Sequence, residues 1–293
     1  MTFSKLQPLR PLIPLALVPS LLPAANTVTD DFDAYPGSGS DYGWTQGWQS
    51  PTISNNGSST IENTDPLNGG GNYISQVTSQ SPAAGAGNRS MTRQLDSSVI
   101  DTTRPYTISW DFRIDNFSSV NDPGTYGGNV GFDKFNDRIH FGANTGGNNG
   151  SDASASWLIG AVGDRNGGNW YVYNNTSGTD GPNFDSAYTT NTGLSFNLGD
   201  VYHFEVNVDP ASTSYTATIT NLDTSDSYTT PTAFTFRNTT PEAHQHLLFG
   251  SHVEQDEYRE FSLDNLTIVG VPEPSGTTLF GLALSLGLLK RRR

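Results

Sequence analysis

An all-β fold, an antiparallel β-sandwich, is what this sequence predicts, and three observations carry the prediction. Residues 107–114 alternate cleanly: Ile108, Trp110, Phe112 and Ile114 share one face, with Thr107, Ser109, Asp111 and Arg113 on the other. Residues 201–209 repeat the pattern, with Tyr202, Phe204, Val206 and Val208 opposing His203, Glu205, Asn207 and Asp209. The turn Asp209-Pro210-Ala211-Ser212-Thr213 then leads into Tyr215, Ala217 and Ile219, which completes an antiparallel hairpin. The third observation is compositional. Gly, Ser, Thr, Asn and Asp abound, charged residues are only 15% and aromatics reach 11%, which suits short strands joined by polar turns, and no stretch keeps a helical period over three turns.

Further strands are expected, in chain order, at 90–95, 138–141, 157–162, 170–173, 233–236, 246–250 and 261–268. Strands of this number and spacing make a sandwich or jelly roll with two apolar inner faces. The glycine-rich stretches 68–71, 126–128 and 144–150 fall between strands and read as loops, without the spacing of a phosphate-binding loop or an EF-hand. One domain, residues 26–270, is the simpler reading, with an N-terminal signal peptide over 1–25 and a sorting or anchor segment over 271–293.

The leader carries Lys5 and Arg10, then the apolar residues 12–18, then Ala24 and Ala25, the order of a secretory signal. Pro11, Pro14, Pro19 and Pro23 interrupt it. The chain has no cysteine, so neither disulfides nor thiolate metal sites nor a thiol nucleophile is available. Between residues 26 and 270 nine Lys and Arg face twenty-eight Asp and Glu, a net charge of −19 against −14 for the whole chain. A surface of that sign repels nucleic acid and anionic lipid, and favours solubility or cation binding.

At the C-terminus, Val271, Pro272, Glu273, Pro274 and Ser275 precede an apolar run over 279–289, and Lys290, Arg291, Arg292 and Arg293 end the chain. The run is short of the roughly 20 residues that a spanning helix needs. The terminal cations would stay cytoplasmic, with the body on the outer face of that membrane. These residues, in this order, closely resemble the PEP-CTERM sorting domain. That resemblance implies recognition by an exosortase, a membrane transpeptidase-like enzyme that would cut near the Pro-Glu-Pro and anchor or release the body, with the short hydrophobic helix holding it at the membrane until then.

The body resembles the concanavalin A-like, or laminin G-like, jelly rolls in three places: residues 31–38 with Gly43 and Trp44, the hairpin over 202–219, and the closing segments 248–252 and 261–266. Glycoside hydrolases on that fold commonly carry a Glu-x-Asp-x-Glu run, which puts two carboxylates on one strand face. This sequence has none. Glu254, Asp256 and Glu257 read as a solvated acidic turn, and His244, His246 and His252 lack a third ligand at a fixed offset. No Gly-x-Ser-x-Gly elbow occurs.

Two sites are expected. Carbohydrate would bind where Trp157, Trp170 and Tyr171 flank the loop carrying Asp164, Arg165 and Asn166, rings stacking on sugar faces amid polar side chains. A structural calcium would tie the first strand to the last through the hard oxygens of Asp31, Asp33 and Asp264. The preferred reading is an exported bacterial surface or matrix protein, non-catalytic, whose jelly roll associates with exopolysaccharide. Two others stand beside it: a glycoside hydrolase or polysaccharide lyase on the same fold, and a ligand-free structural surface protein.

Overall fold

The computed structural model describes residues 25–33, 35, 48–49, 57–79, 87–95, 100–119, 138–144, 155–162, 168–174, 188–237, 246–253 and 257–270. The leader, the tail from Val271 onward, Trp44, Asp164, Arg165, Asn166, His244 and residues 254–256 lie outside them. The strands are β1 (Thr27–Asp30), β2 (Trp48–Gln49), β3 (Gly57–Glu62), β4 (Tyr73–Ser79), β5 (Gly87–Gln94), β6 (Tyr106–Ser119), β7 (Arg138–Asn144) and β8 (Leu158–Val162). They continue as β9 (Asn169–Tyr173), β10 (Thr189–Ser195), β11 (Val201–Asp209), β12 (Ser214–Asn221), β13 (Ser227–Thr229), β14 (Phe234–Thr235), β15 (His246–Val253) and β16 (Glu257–Gly270). Among the described residues there is no helix long and apolar enough to cross a membrane.

All pairings are antiparallel, in two sheets. The nine-stranded sheet runs β13-β12-β11-β6-β16-β4-β3, with β1 added to β16 and β14 to β12; the seven-stranded sheet runs β10-β9-β8-β7-β15-β5-β2. The protein is therefore an all-β sandwich of two antiparallel sheets.

The alternation seen in the sequence decides the packing. Ile108, Trp110, Phe112 and Ile114 of β6 point inward together with Tyr202, Phe204, Val206 and Val208 of β11, and all are buried. Trp110 sits directly opposite Phe204, their rings stacked at 5.0 Å and 3°. Phe141 and Phe249 from the facing sheet meet Trp110 edge-on at 5.4 and 5.5 Å. Each such ring removes roughly 150–250 Å² from water and prefers tilted neighbours, so the aromatic layer supplies much of the cohesion of a domain without disulfides.

Two bulges interrupt the β6–β16 ladder, between Glu260 and Phe261 and between Asp264 and Thr267. At the second, Asn265 takes φ +53° and restores the inward phase of Leu266 after Leu263. The polar side chain at the crossing, Asp264, is thereby turned outward yet remains buried.

Candidate functional site

The aromatic sugar platform expected around Trp157 and Trp170 is corrected by the burial of both rings. Trp157 is 1% exposed and Trp170 0%, because both belong to the inward row that faces β6 and β11. A ring with no free face cannot stack on a sugar. Tyr171 follows Trp170 and so points to the opposite side of the sheet, where it is also buried and accepts a hydrogen bond from Asn191 Nδ2 at 3.3 Å. Trp48 is likewise a core residue, its indole N–H donating to Asp30 Oδ2 at 2.6 Å.

The expected calcium ligands lie on or just beyond paired strands, since β1 runs antiparallel to β16 with Asp30 opposite Leu266. Asp31 and Asp33 follow the end of β1 on either side of Phe32, which is held at φ +60° with its own N–H bonding to Asp30 Oδ1. Asp264 lies at the bulge of β16, opposite Asp111 of β6. Burial pushes the Asp264 carboxyl up to about 7, opposed by the Asn265 N–H, and the charges of Asp111, Asp33 and Asp31 push it further in the same direction. One Asp264 oxygen accepts that N–H at 2.7 Å; the other, Oδ2, is buried with no hydrogen-bond partner.

The surroundings of this cluster are specific. Asp33 Oδ1 accepts the Asn72 N–H at 2.7 Å, and it lies only 2.6 Å from where a Cβ on Gly71 would stand, so glycine is required there at φ +100°. Asn265 Nδ2 donates to the Asn68 carbonyl at 2.8 Å and to Asp111 Oδ2 at 2.9 Å. The other Asp111 oxygen pairs with Nδ1 of His203 at 2.6 Å. Among the described residues no three His, Asp or Glu side chains converge on one point in this geometry.

The sequence reading missed Asp111 and Asn265. An acidic residue at the centre of a strand as apolar as β6 was the available signal.

A second polar feature lies on the outer face of the seven-stranded sheet. Ser90 and Thr92 of β5 stand opposite Gly250 and Leu248 of β15, and His246 belongs to the same face two residues before Leu248. Ser90 Oγ, Thr92 Oγ1 and His246 Nδ1 are all buried without hydrogen-bond partners. Three such groups on two adjacent strands are unusual, since leaving one unmet costs about 1–3 kcal/mol. Burial also depresses the His246 pKa, which keeps the ring neutral and able to both donate and accept.

Asp115 lies near Glu260 at the first bulge of the β6–β16 ladder. Both are already engaged: Asp115 takes Arg113 Nε at 2.5 Å and the Ser262 hydroxyl at 2.6 Å, and Glu260 accepts the Ser75 hydroxyl at 3.3 Å. This reads as a tie between strands.

No protein-family model matches the sequence, and no curated protein sequence does. Among solved structures, the chain is similar to a sialidase, with 13% identity and a TM-score of 0.47 over 84% of this chain and 18% of the sialidase. It is similar to lectin II from Ulex europaeus, with 9% identity and a TM-score of 0.46 over 84% of this chain and 98% of the lectin. It is also similar to arcelin-5, a lectin-like defense protein from Phaseolus vulgaris, with 8% identity and a TM-score of 0.43 over 85% of this chain and all of arcelin-5. Likenesses at these levels bear on architecture alone, and the sandwich itself rests on the strand pairings of this chain.

Proposed function

We propose that this chain is a non-catalytic, exported bacterial surface or matrix protein whose jelly-roll body binds polysaccharide. The observation that bears on the sugar reading is the row of unmet polar groups at Ser90, Thr92 and His246, of which Ser90 and Thr92 are fully buried and His246, at 7% exposed, is the one nearest solvent. A polyhydroxylated ligand offers donors and acceptors together, which is what two hydroxyls and a neutral imidazole require. The lectin-like neighbours agree with this class of ligand without adding to the case.

The test is retention of the full chain on immobilised polysaccharide from the producing cell, and on a glycan array, compared with Thr92→Val and His246→Ala. Retention that weakens about tenfold or more in each variant supports the reading, one lost hydrogen bond being worth about that much. No retention of the unaltered protein on any glycan sinks it.

We propose also a structural cation at the first cluster. The orphaned Asp264 Oδ2 and the repulsion among neighbouring carboxylates are what a hard, oxygen-seeking ion relieves. Asp31, Asp33 and Asp264 would hold it, and the charge of calcium would neutralise theirs and fasten the start of the body to its last strand.

Delivery is assigned to the tail. Val271-Pro272-Glu273-Pro274-Ser275, the apolar run and Lys290 to Arg293 resemble an exosortase signal, which makes an exosortase the processing partner and the cell envelope or extracellular matrix the destination. Replacing Pro272, Glu273 and Pro274 by alanine in a cell that has an exosortase should leave an unprocessed, membrane-held chain. Normal trimming of that variant would overturn the assignment.

A further inference from the structure

β16 ends at Gly270, and Val271-Pro272-Glu273-Pro274-Ser275 follows with no residue between. Gly270 is held in the sheet, donating its N–H to the Asn26 carbonyl at 2.8 Å and lying opposite Tyr106, the first residue of β6. Five residues of fully extended chain reach about 18 Å at most, so an enzyme that grips the Pro-Glu-Pro segment works within that distance of the folded sheet.

What stands at that end of the sheet is a shallow hollow of about 340 Å³. Gly270, Tyr106, Val208 and Tyr215 are successive cross-strand partners on β16, β6, β11 and β12, and the last three line the hollow together with Pro105 and Ala233. Neighbouring strands lie about 4.8 Å apart, which puts Tyr215 about 15 Å from Gly270. The walls are largely apolar, and Asp209 is the one acidic or basic residue among them. Pro105 and Ala233 are exposed, whereas Tyr106, Val208 and Tyr215 are core residues, so the shape of the hollow is fixed by the core.

We infer that this hollow is a contact surface for the enzyme that processes the tail, and that it receives an apolar side chain from a neutral or basic loop of that enzyme. The inference rests on the exosortase reading proposed above and goes beyond it, from the tail to the body. A stable protein–protein contact covers about 800 Å² on each partner, a disc of roughly 16 Å radius. Centred on the end of β16, such a disc takes in the whole hollow. Contacts of this kind are anchored by an apolar group in a pocket with a polar rim, and the bonded pair Thr107 and Asn207, 2.7 Å apart, lies beside this one. Charge selects among partners. With −19 on the body and Asp209 in the hollow, a second copy would bring like charge to like, whereas a neutral or basic loop is favoured.

Trimming of the full chain is followed by pulse-chase in a cell that has an exosortase. Ala233→Glu places a charge at the hollow without altering the Pro-Glu-Pro segment. A second form of each chain carries about 20 Gly and Ser residues between Gly270 and Val271, a flexible spacer with a span of about 25 Å that lets the enzyme work clear of the body. The expected result is that Ala233→Glu is trimmed about tenfold more slowly than the natural chain, and that the spacer removes the difference. In parallel, the photo-crosslinker p-benzoylphenylalanine in place of Ala233 should capture the exosortase. In place of Leu222, which is exposed beside Val201 at the opposite end of β11, it should not.

Equal trimming of Ala233→Glu and the natural chain overturns the contact surface and leaves the exosortase reading standing. A defect that persists with the spacer overturns it too, because the variant is then failing in its fold or its export. Capture of a second copy of this chain at position 233, in place of the exosortase, has the same meaning. A natural chain that is never trimmed, or normal trimming after Pro272→Ala, Glu273→Ala and Pro274→Ala together, removes the exosortase reading and this inference with it.

Discussion

Asp111 and His203, partners across β6 and β11, are joined by a 2.6 Å contact between Oδ1 and Nδ1. The carboxylate of Asp111 holds the imidazolium form, aided by the charge of Glu205, so the His203 pKa lies above its usual 6.5. The stabilisation is therefore complete below about pH 6.5 and is lost as the pH rises through the higher folded-state value. Because the ring is partly exposed, the effect is on the order of 1 kcal/mol or less. Melting curves from pH 5.5 to 8.5 should fall more steeply for the natural protein than for His203→Gln. Identical slopes would remove the pair from the stability of the fold.

Asp264 carries the same sign, as a cost that grows with pH in place of a gain that is lost. Its folded carboxyl titrates at about 7 against 3.8 in the unfolded chain. Its cost to the fold is absent below pH 3.8, grows between those values and is full above about 7. In a chelator at pH 7.5, Asp264→Asn should raise stability by about 1–4 kcal/mol, the range set by the linkage between pKa and folding. Calcium should raise the melting midpoint of the natural protein and leave that of the variant in place. A natural protein indifferent to saturating calcium would sink the cation reading.

Gly71→Ala should cost about 1–3 kcal/mol, since it combines a disfavoured φ with a Cβ placed 2.6 Å from Asp33 Oδ1. Gly70, at φ +83° with open space around it, is the control and should lose about 1 kcal/mol on the same change. Equal losses in urea unfolding would mean that the Asp33 contact is unimportant.

Trp170→Ala should cost about 3–5 kcal/mol in urea unfolding, as expected for truncating a fully buried ring. A folded variant of near-normal stability that had lost sugar binding alone would restore Trp170 to the role first expected of it.

Much of the sandwich was readable from alternation. β6, β11 and β12 are strands with one core face and one polar face, and their period of two is plain in the sequence. β4 escaped notice because Tyr73, Ile74, Ser75 and Gln76 are all buried, so both faces carry inward residues and no alternation survives. β3, β10 and β13 lie at sheet edges, where short polar segments such as Thr189–Ser195 look like loops.

The candidate sites were less legible for a different reason. Proximity along the chain to Asp164 and Asn166 said nothing about which face Trp157 and Trp170 occupy, and their alternation with Leu158 and Tyr171 turned them inward. Asp111 was assigned to the polar face, which is correct, but its burial depends on Asn265 and the Asn68 carbonyl meeting it from remote parts of the chain. Asp31, Asp33 and Asp264 belong to the two ends of the body, which β1 and β16 bring together.

The central position of β16 has a consequence in time. Among the described residues it is the last strand, yet it separates β6 from β4 and also carries β1. Until residues 257–270 are delivered, the nine-stranded sheet is three pieces with no shared ladder: β6 with β11 to β14, β3 with β4, and β1 alone. The same strand that completes the sheet ends at Gly270, immediately before Val271-Pro272-Glu273-Pro274-Ser275.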